Sequence, residues 1–209
     1  QAQYRLAINN YKKAIEINPR LLSTYSNYLY SLNFFEDFNY NEFLEVIKKF
    51  KRNIPKLKFK FNKNIKKNNS NKKINVGFVS GDFGIHPVSF FLIGLIEKIN
   101  KKNFNLYAYS NSGRNDSMTN ELKKKFSNWT QVNNMNDETL IKKIKENNID
   151  ILFDLSGHTG HNRLSIFVNR AAPIQVTWLG YNASTGLSEI DYIIVDQHVI
   201  SDKEKKLFS

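Results

Sequence analysis

The stretch INVGFVSGDFGIHPVSFF, residues 74–91, decides the fold. Its first seven residues are a short apolar run of strand length, Gly81 and Gly84 follow as turn residues, and Pro87 then opens an apolar segment of helical length. Proline suits the first helical position, because its missing N–H would have no partner there and its φ is already helical. His86 therefore stands at the cap of a helix, directly behind a buried strand and beside the positive end of the helix dipole.

The same alternation continues downstream. PVSFFLIGLIEKIN (87–100) reads as helix, FNLYAYS (104–110) as strand, DSMTNELKKKF (116–126) as helix and WTQVN (129–133) as a weak strand. DETLIKKIKENN (137–148) is helix, IDILFDLSG (149–157) strand, RLSIFVNRA (163–171) helix, and IQVTWLG (174–180) and IDYIIVD (190–196) are strands. Nearly continuous apolar strands separated by helices imply a parallel sheet covered on both faces. The expected class is α/β, a Rossmann-like doubly wound sheet over residues 74–209.

Upstream, Ala7, Tyr11, Ala14 and Pro19 alternate small and aromatic residues at helical spacing, and YKKAIEINP (11–19) has the pattern of the closing half of a tetratricopeptide repeat. STYSNYLYSLNFF (23–35) places Tyr25, Tyr28 and Leu32 where the next repeat begins, and FNYNEFLEVIKKFKRNI (38–54) continues as an amphipathic helix. Residues 1–54 are thus expected to be tetratricopeptide-like helices plus a joining helix. One and a half repeats do not bury their own faces, so either further repeats precede them or they pack on the domain that follows. Residues 55–73, rich in Lys and Asn, read as a basic linker.

The chain has 209 residues, no cysteine and a formal net charge of +12. Without cysteine there is no disulfide and no thiolate metal site, in keeping with a cytoplasmic protein, and no apolar run reaches the roughly 18 residues of a membrane span. The excess charge travels with Lys and Asn throughout and Arg is scarce, so it reads as a solvated basic surface and not a nucleic-acid or membrane interface. The first residues already have helical periodicity, with no Met at position 1 and no signal pattern, which reads as the interior of a longer protein.

In doubly wound sheets ligands bind outside the carboxyl ends of the strands. That rule selects Asp82, Phe83, Gly84 and His86 after the first strand. It selects Ser156, Gly157, His158 and Thr159 after ILFDL, and Tyr181, Asn182, Ser184, Thr185 and Gly186 after VTWLG. His86 at a helix N-terminus can exchange a proton near neutral pH, while its plainer reading is a cap. DLSGHTGHNR reads as a second strand–histidine–helix instance. Asp154, inside an apolar run, either orients His158 or caps a turn, and Arg163 reads as an exposed helix charge. His158 and His161 lack the companions of a zinc site, and neither GxGxxG nor GxxxxGK[ST] follows the first strand.

INVGFVSGDFGIHPVSFF, DLSGHTGHNR, APIQVTWLGYNASTG and DYIIVD, in this order behind tetratricopeptide helices, resemble the amino-terminal catalytic half of the protein O-linked N-acetylglucosamine transferases and their plant relatives, glycosyltransferase family 41. The resemblance implies two Rossmann-like lobes, of which this chain holds the first. It implies inverting transfer of a sugar, N-acetylglucosamine first, from a nucleotide diphosphate sugar to Ser or Thr of a protein or peptide acceptor. The second lobe would supply most of the nucleotide pocket, including a phosphate-binding Lys, and no metal or other cofactor is expected. His86 and His158 match catalytic positions, and Asp82, Pro87, Gly157, Thr159, Tyr181, Ser184, Thr185 and Gly186 match donor or substrate positions. Animal members carry Tyr at the His158 position and a His, proposed as base, where this chain has Tyr30. GYNASTG stands where the family has a loop of the type GYPGTTG. The competing expectation is a tetratricopeptide-type interaction module with a non-catalytic lobe.

Overall fold

The computed structural model describes residues 2–35, 38–57, 72–196 and 198. Three helices come first: α1 (Ala2–Ile17), α2 (Leu22–Leu32) and α3 (Tyr40–Asn53). α3 forms because Asn39 caps it, accepting from the Glu42 N–H at 3.1 Å, and because Phe43, Val46, Ile47 and Phe50 recur on one buried face. Lys51 and Arg52 in its last turn suit the negative end of its dipole. Residues 58–71 of the expected linker lie outside the described residues. Its start is held: the Leu57 N–H donates to Asn169 Oδ1 at 2.8 Å, and Asn169 Nδ2 donates to the Pro55 carbonyl.

Six parallel strands follow: β1 (Ile74–Ser80), β2 (Phe104–Ser110), β3 (Asn128–Gln131), β4 (Ile151–Asp154), β5 (Ile174–Trp178) and β6 (Tyr192–Ile194). They lie in the order β3-β2-β1-β4-β5-β6, and every neighbouring pair is parallel. The crossovers carry α4 (Pro87–Lys98), α5 (Ser117–Lys125), α6 (Asp137–Glu146) and α7 (Leu164–Val168). The period of two along β1 splits the core into two layers. Val76 and Phe78 meet α4 and α5 through Leu92, Ile96 and Leu122, whereas Val79 meets α6 through Leu140, Ile141 and Ile144.

Strand order reverses about β1, so its carboxyl end and that of β4 flank a topological switch point. The register sets Val79 beside Asp154 and Asp154 beside Thr177, which brings the loops after β1, β4 and β5 to one edge. The first three helices pack on this domain: Tyr25, Leu29, Phe43 and Phe50 share a buried cluster with Leu164 and Leu187. Of the two sequence expectations for their apolar faces, packing on the following domain is the one seen. No described helix is long and apolar enough to cross a membrane.

Candidate active site

The loop after β1 is fixed by its own polar groups. The Asp82 N–H donates to Ser80 Oγ at 2.9 Å, and the Asp82 carbonyl accepts from the Gly84 N–H and from Ser89 Oγ, each at 2.8 Å. Across the loop, Asp116 caps α5 and also accepts from the Ile85 N–H at 2.8 Å. Those backbone donors, Ile85 first and Thr119 next, hold the Asp116 carboxyl below the usual carboxylate range.

His86 is the N-cap of α4, in extended backbone, with Pro87 at the first helical position. Its Nδ1 accepts from the Val88 N–H at 3.3 Å, so the neutral ring carries its proton on Nε2. Nε2 lies 3.8 Å from Asp82 Oδ1, and Arg114 Nη2 lies 3.8 Å from the same oxygen. Both separations exceed a direct hydrogen bond, and the His86 and Arg114 side chains are 36% and 39% exposed. The result is a carboxylate between an imidazole and a guanidinium, open to a ligand.

The loop after β4 is built differently. Asp154 is buried, its Oδ1 accepting from the Ser156 N–H at 3.1 Å and its Oδ2 from the Gly157 N–H at 2.9 Å and Thr177 Oγ1 at 3.0 Å. Burial nevertheless pushes its carboxyl up to about 6. Of the two readings of Asp154, turn capping is the one seen. Gly157 takes φ +54° against Tyr181, and Thr159 Oγ1 donates to the Ser156 carbonyl at 2.7 Å.

This turn sends His158 inward. The ring is fully buried, and its nitrogens lie 3.2 Å from Ser26 Oγ (Nδ1) and 2.9 Å from the Thr185 carbonyl (Nε2). Desolvation lowers its pKa to about 4. Neither nitrogen of His158 is free and no ring surface reaches solvent, so the ring acts on its neighbours. His86 and His158 are therefore not two instances of one arrangement. The exposed-charge reading of Arg163 is corrected. Its side chain is 13% exposed, and its Nη2 meets Asp137 Oδ1 at 2.9 Å and the Met135 carbonyl at 2.8 Å.

After β5, Tyr181 is buried and its hydroxyl accepts from Asn33 Nδ2 at 2.7 Å. Burial pushes that hydroxyl's pKa up. Ser184 Oγ accepts from the Gly186 N–H at 3.1 Å, and Gly186, at φ +67°, lies against Ile47 of α3. Ser184, Thr185 and Gly186 line a groove of about 640 Å³ closed on its other side by Tyr40 and Phe43.

The expected site residues thus fall into two groups. Asp82, His86 and Pro87 stand with Arg114, whereas Gly157 packs on Tyr181, His158 meets Thr185 and Ser26 of α2, and Thr159 bonds within its own loop. The groups meet at His161, whose Cβ leaves no room for a side chain on Gly81 (2.5 Å) and whose carbonyl accepts from Asn111 Nδ2 at 2.8 Å. Tyr30, where the resemblance places a histidine, is exposed beside Tyr181, with ring centroids 6.3 Å apart. Arg114 and Asn111 were missed by sequence reasoning, although the same carboxyl-end rule applied to β2 points to both. Ser26 and Asn33, on α2, carry no such signal.

The family model described as Glycosyl transferase family 41 matches residues 44–209. A probable UDP-N-acetylglucosamine–peptide N-acetylglucosaminyltransferase SPINDLY of Oryza sativa subsp. japonica is 31% identical over 197 residues, covering 90% of this chain and 21% of that protein. The UDP-N-acetylglucosamine–peptide N-acetylglucosaminyltransferase of Caenorhabditis elegans is 33% identical over 129 residues, covering 60% of this chain and 11% of that protein. A solved structure of a lysine-to-methionine mutant of Thermobaculum terrenum O-GlcNAc transferase superposes with a TM-score of 0.85 at 28% identity, covering 99% of this chain and 40% of that one. This chain therefore spans about a fifth of the length of the rice relative. The matched region takes in every strand of the sheet and all three loops at its carboxyl edge, and the chain belongs to glycosyl transferase family 41.

Proposed function

We propose that this chain is one wall of an enzyme that moves N-acetylglucosamine from a nucleotide diphosphate sugar to Ser or Thr hydroxyls of proteins, with inversion at the anomeric carbon. The observation that carries this reading is the group at the switch point of the sheet in which the partly exposed His86 and Arg114 flank the mostly buried carboxylate of Asp82. In such a displacement the acceptor oxygen attacks the anomeric carbon as its bond to the diphosphate breaks, the hydroxyl proton passes to the carboxylate that accepts its hydrogen bond, and negative charge grows on the diphosphate.

The residues divide these tasks by chemistry. His86 offers an Nε2–H to a substrate oxygen, because its Nδ1 is engaged in capping α4. Asp82 accepts hydrogen bonds from a substrate hydroxyl, and Arg114 stands beside that carboxylate with N–H donors for a substrate oxygen. The start of α4 adds a positive dipole end. The 181–186 loop shapes the groove, and the repeat helices present the acceptor. No step is assigned to a metal.

The test is the full-length protein with UDP-N-acetylglucosamine and a Ser/Thr-containing peptide, followed by NMR of the new linkage. A β-linked N-acetylglucosamine on a hydroxyl supports the reading. Retention of the anomeric configuration, or no transfer from any nucleotide sugar, contradicts it.

A further inference from the structure

The 181–186 loop is held from two sides, by α2 and α3 and by the loop after β4. At one end Asn33, the C-cap of α2, donates to the Tyr181 hydroxyl at 2.7 Å. At the other, Gly186 is pressed against Ile47 and Phe43 of α3. Between them the Thr185 carbonyl points to His158 Nε2.

A carbonyl only accepts, so Nε2 carries the proton, Nδ1 is the acceptor, and Ser26 donates its hydroxyl proton to Nδ1. Ser26 Oγ in turn accepts from Asn162 Nδ2 at 3.2 Å. The result is a directional relay, Asn162 to Ser26 to His158 to Thr185, that crosses from the β4 loop through α2 to the β5 loop. Phe50 of α3 and Tyr181 close over the ring edge-on, each with its centroid 5.6 Å away.

We infer that His158 is a positioning residue that ties the 181–186 loop to the repeat helices, so that the loop's fit to a sugar nucleotide depends on how α2 and α3 sit against the sheet domain. A hydrogen bond to a fully buried ring is costly to leave unmade, and its loss releases the loop more than the strands. The kinetic part of this inference rests on the proposed sugar transfer; the conformational part does not.

The experiment uses the full-length protein and three variants. His158→Phe keeps a ring of similar volume and removes both bonds, His158→Gln retains an N–H donor for the Thr185 carbonyl, and Ser26→Ala cuts only the helix side. Amide exchange of residues 184–187 is read beside the KM and kcat for UDP-N-acetylglucosamine. Expected for His158→Phe is loop exchange faster by about tenfold and KM raised by about tenfold, with kcat and the exchange of β1 and β2 near wild type. His158→Gln should recover most of both effects, and Ser26→Ala should show them more weakly, which keeps the test decisive if the Phe variant does not fold. Unchanged loop exchange in both His158→Phe and Ser26→Ala overturns the inference, as does faster exchange spread evenly over loop and strands. If no nucleotide sugar is turned over by the wild type, the proposed function fails and the exchange comparison still decides the role of His158.

Discussion

Gly157 and Tyr181 touch so closely that a methyl group on Gly157 would overlap Tyr181 Cβ and lie 2.6 Å from Cγ. The glycine also sits at φ +54°, where a side chain is strained even in open space. Strain and overpacking each cost roughly 1–3 kcal/mol, so Gly157→Ala should lose about 3 kcal/mol or more. For a chain of this size that is a fall in melting temperature on the order of 10 °C. A variant melting within about 2 °C of wild type would mean that the two loops are not locked together as described.

His158 and Asp154 make opposite contributions to pH dependence. The folded imidazole titrates at about 4 against an ordinary 6.5, so between these values the unfolded chain binds a proton that the folded chain refuses. Stability tied to His158 is whole above about pH 6.5 and falls as pH drops toward 4. Asp154, raised to about 6 from 3.8, binds its proton more readily when folded, so its contribution rises on acidification through that window. The two offset each other between pH 4 and 6. His158→Gln removes one of them, and its melting temperature relative to wild type should climb between pH 6.5 and 4, by an amount worth a few kcal/mol. A difference that stays flat over that range would contradict the buried, neutral ring.

Arg163 joins the start of α6 to the start of α7 through Asp137 and the Met135 carbonyl. Truncating it leaves a half-buried carboxylate and a carbonyl without their donor, so Arg163→Ala should lose about 2–4 kcal/mol. Denaturant unfolding measures this directly, and a loss below about 0.5 kcal/mol would return Arg163 to the exposed helix charge that its sequence context implies.

The strand and helix pattern was legible because apolar runs, caps and turn residues act locally. All six strands appear where expected, and the shortenings have local causes. The fourth strand ends at Asp154 and not at Gly157, because the Asp154 carboxylate takes the Ser156 and Gly157 N–H groups out of the ladder. The helix expected over 163–171 stops at Val168, where Asn169 turns its amide back to the Ser165 carbonyl and Arg170 adopts φ +53°. The carboxyl-end rule placed the loops after β1, β4 and β5 at one edge of the sheet, where the register sets them. The direction of His158 was not legible, since no periodicity orients a loop side chain and its partner Ser26 lies 132 residues away. Nor does spacing reveal that Asn33 reaches Tyr181 across 148 residues.

The 209-residue chain by itself should transfer no sugar and bind nucleotide only weakly, because a site with one wall neither excludes water nor holds a diphosphate. Calorimetric titration with UDP and a transfer assay on the purified chain test this. Robust turnover by this chain would place the whole donor site in the one sheet domain.

The central claim is that His86 serves substrate as well as α4. His86→Ala removes both the cap and the ring, whereas His86→Asn restores a good capping acceptor without the Nε2–H. Thermal melting and single-turnover transfer in the full-length protein separate the two roles. The account predicts that Ala loses about 1 kcal/mol of stability, that Asn melts near wild type, and that both lose roughly 100-fold or more in rate. If Asn restores the rate along with the melting temperature, His86 is a structural cap and the proposed site is wrong.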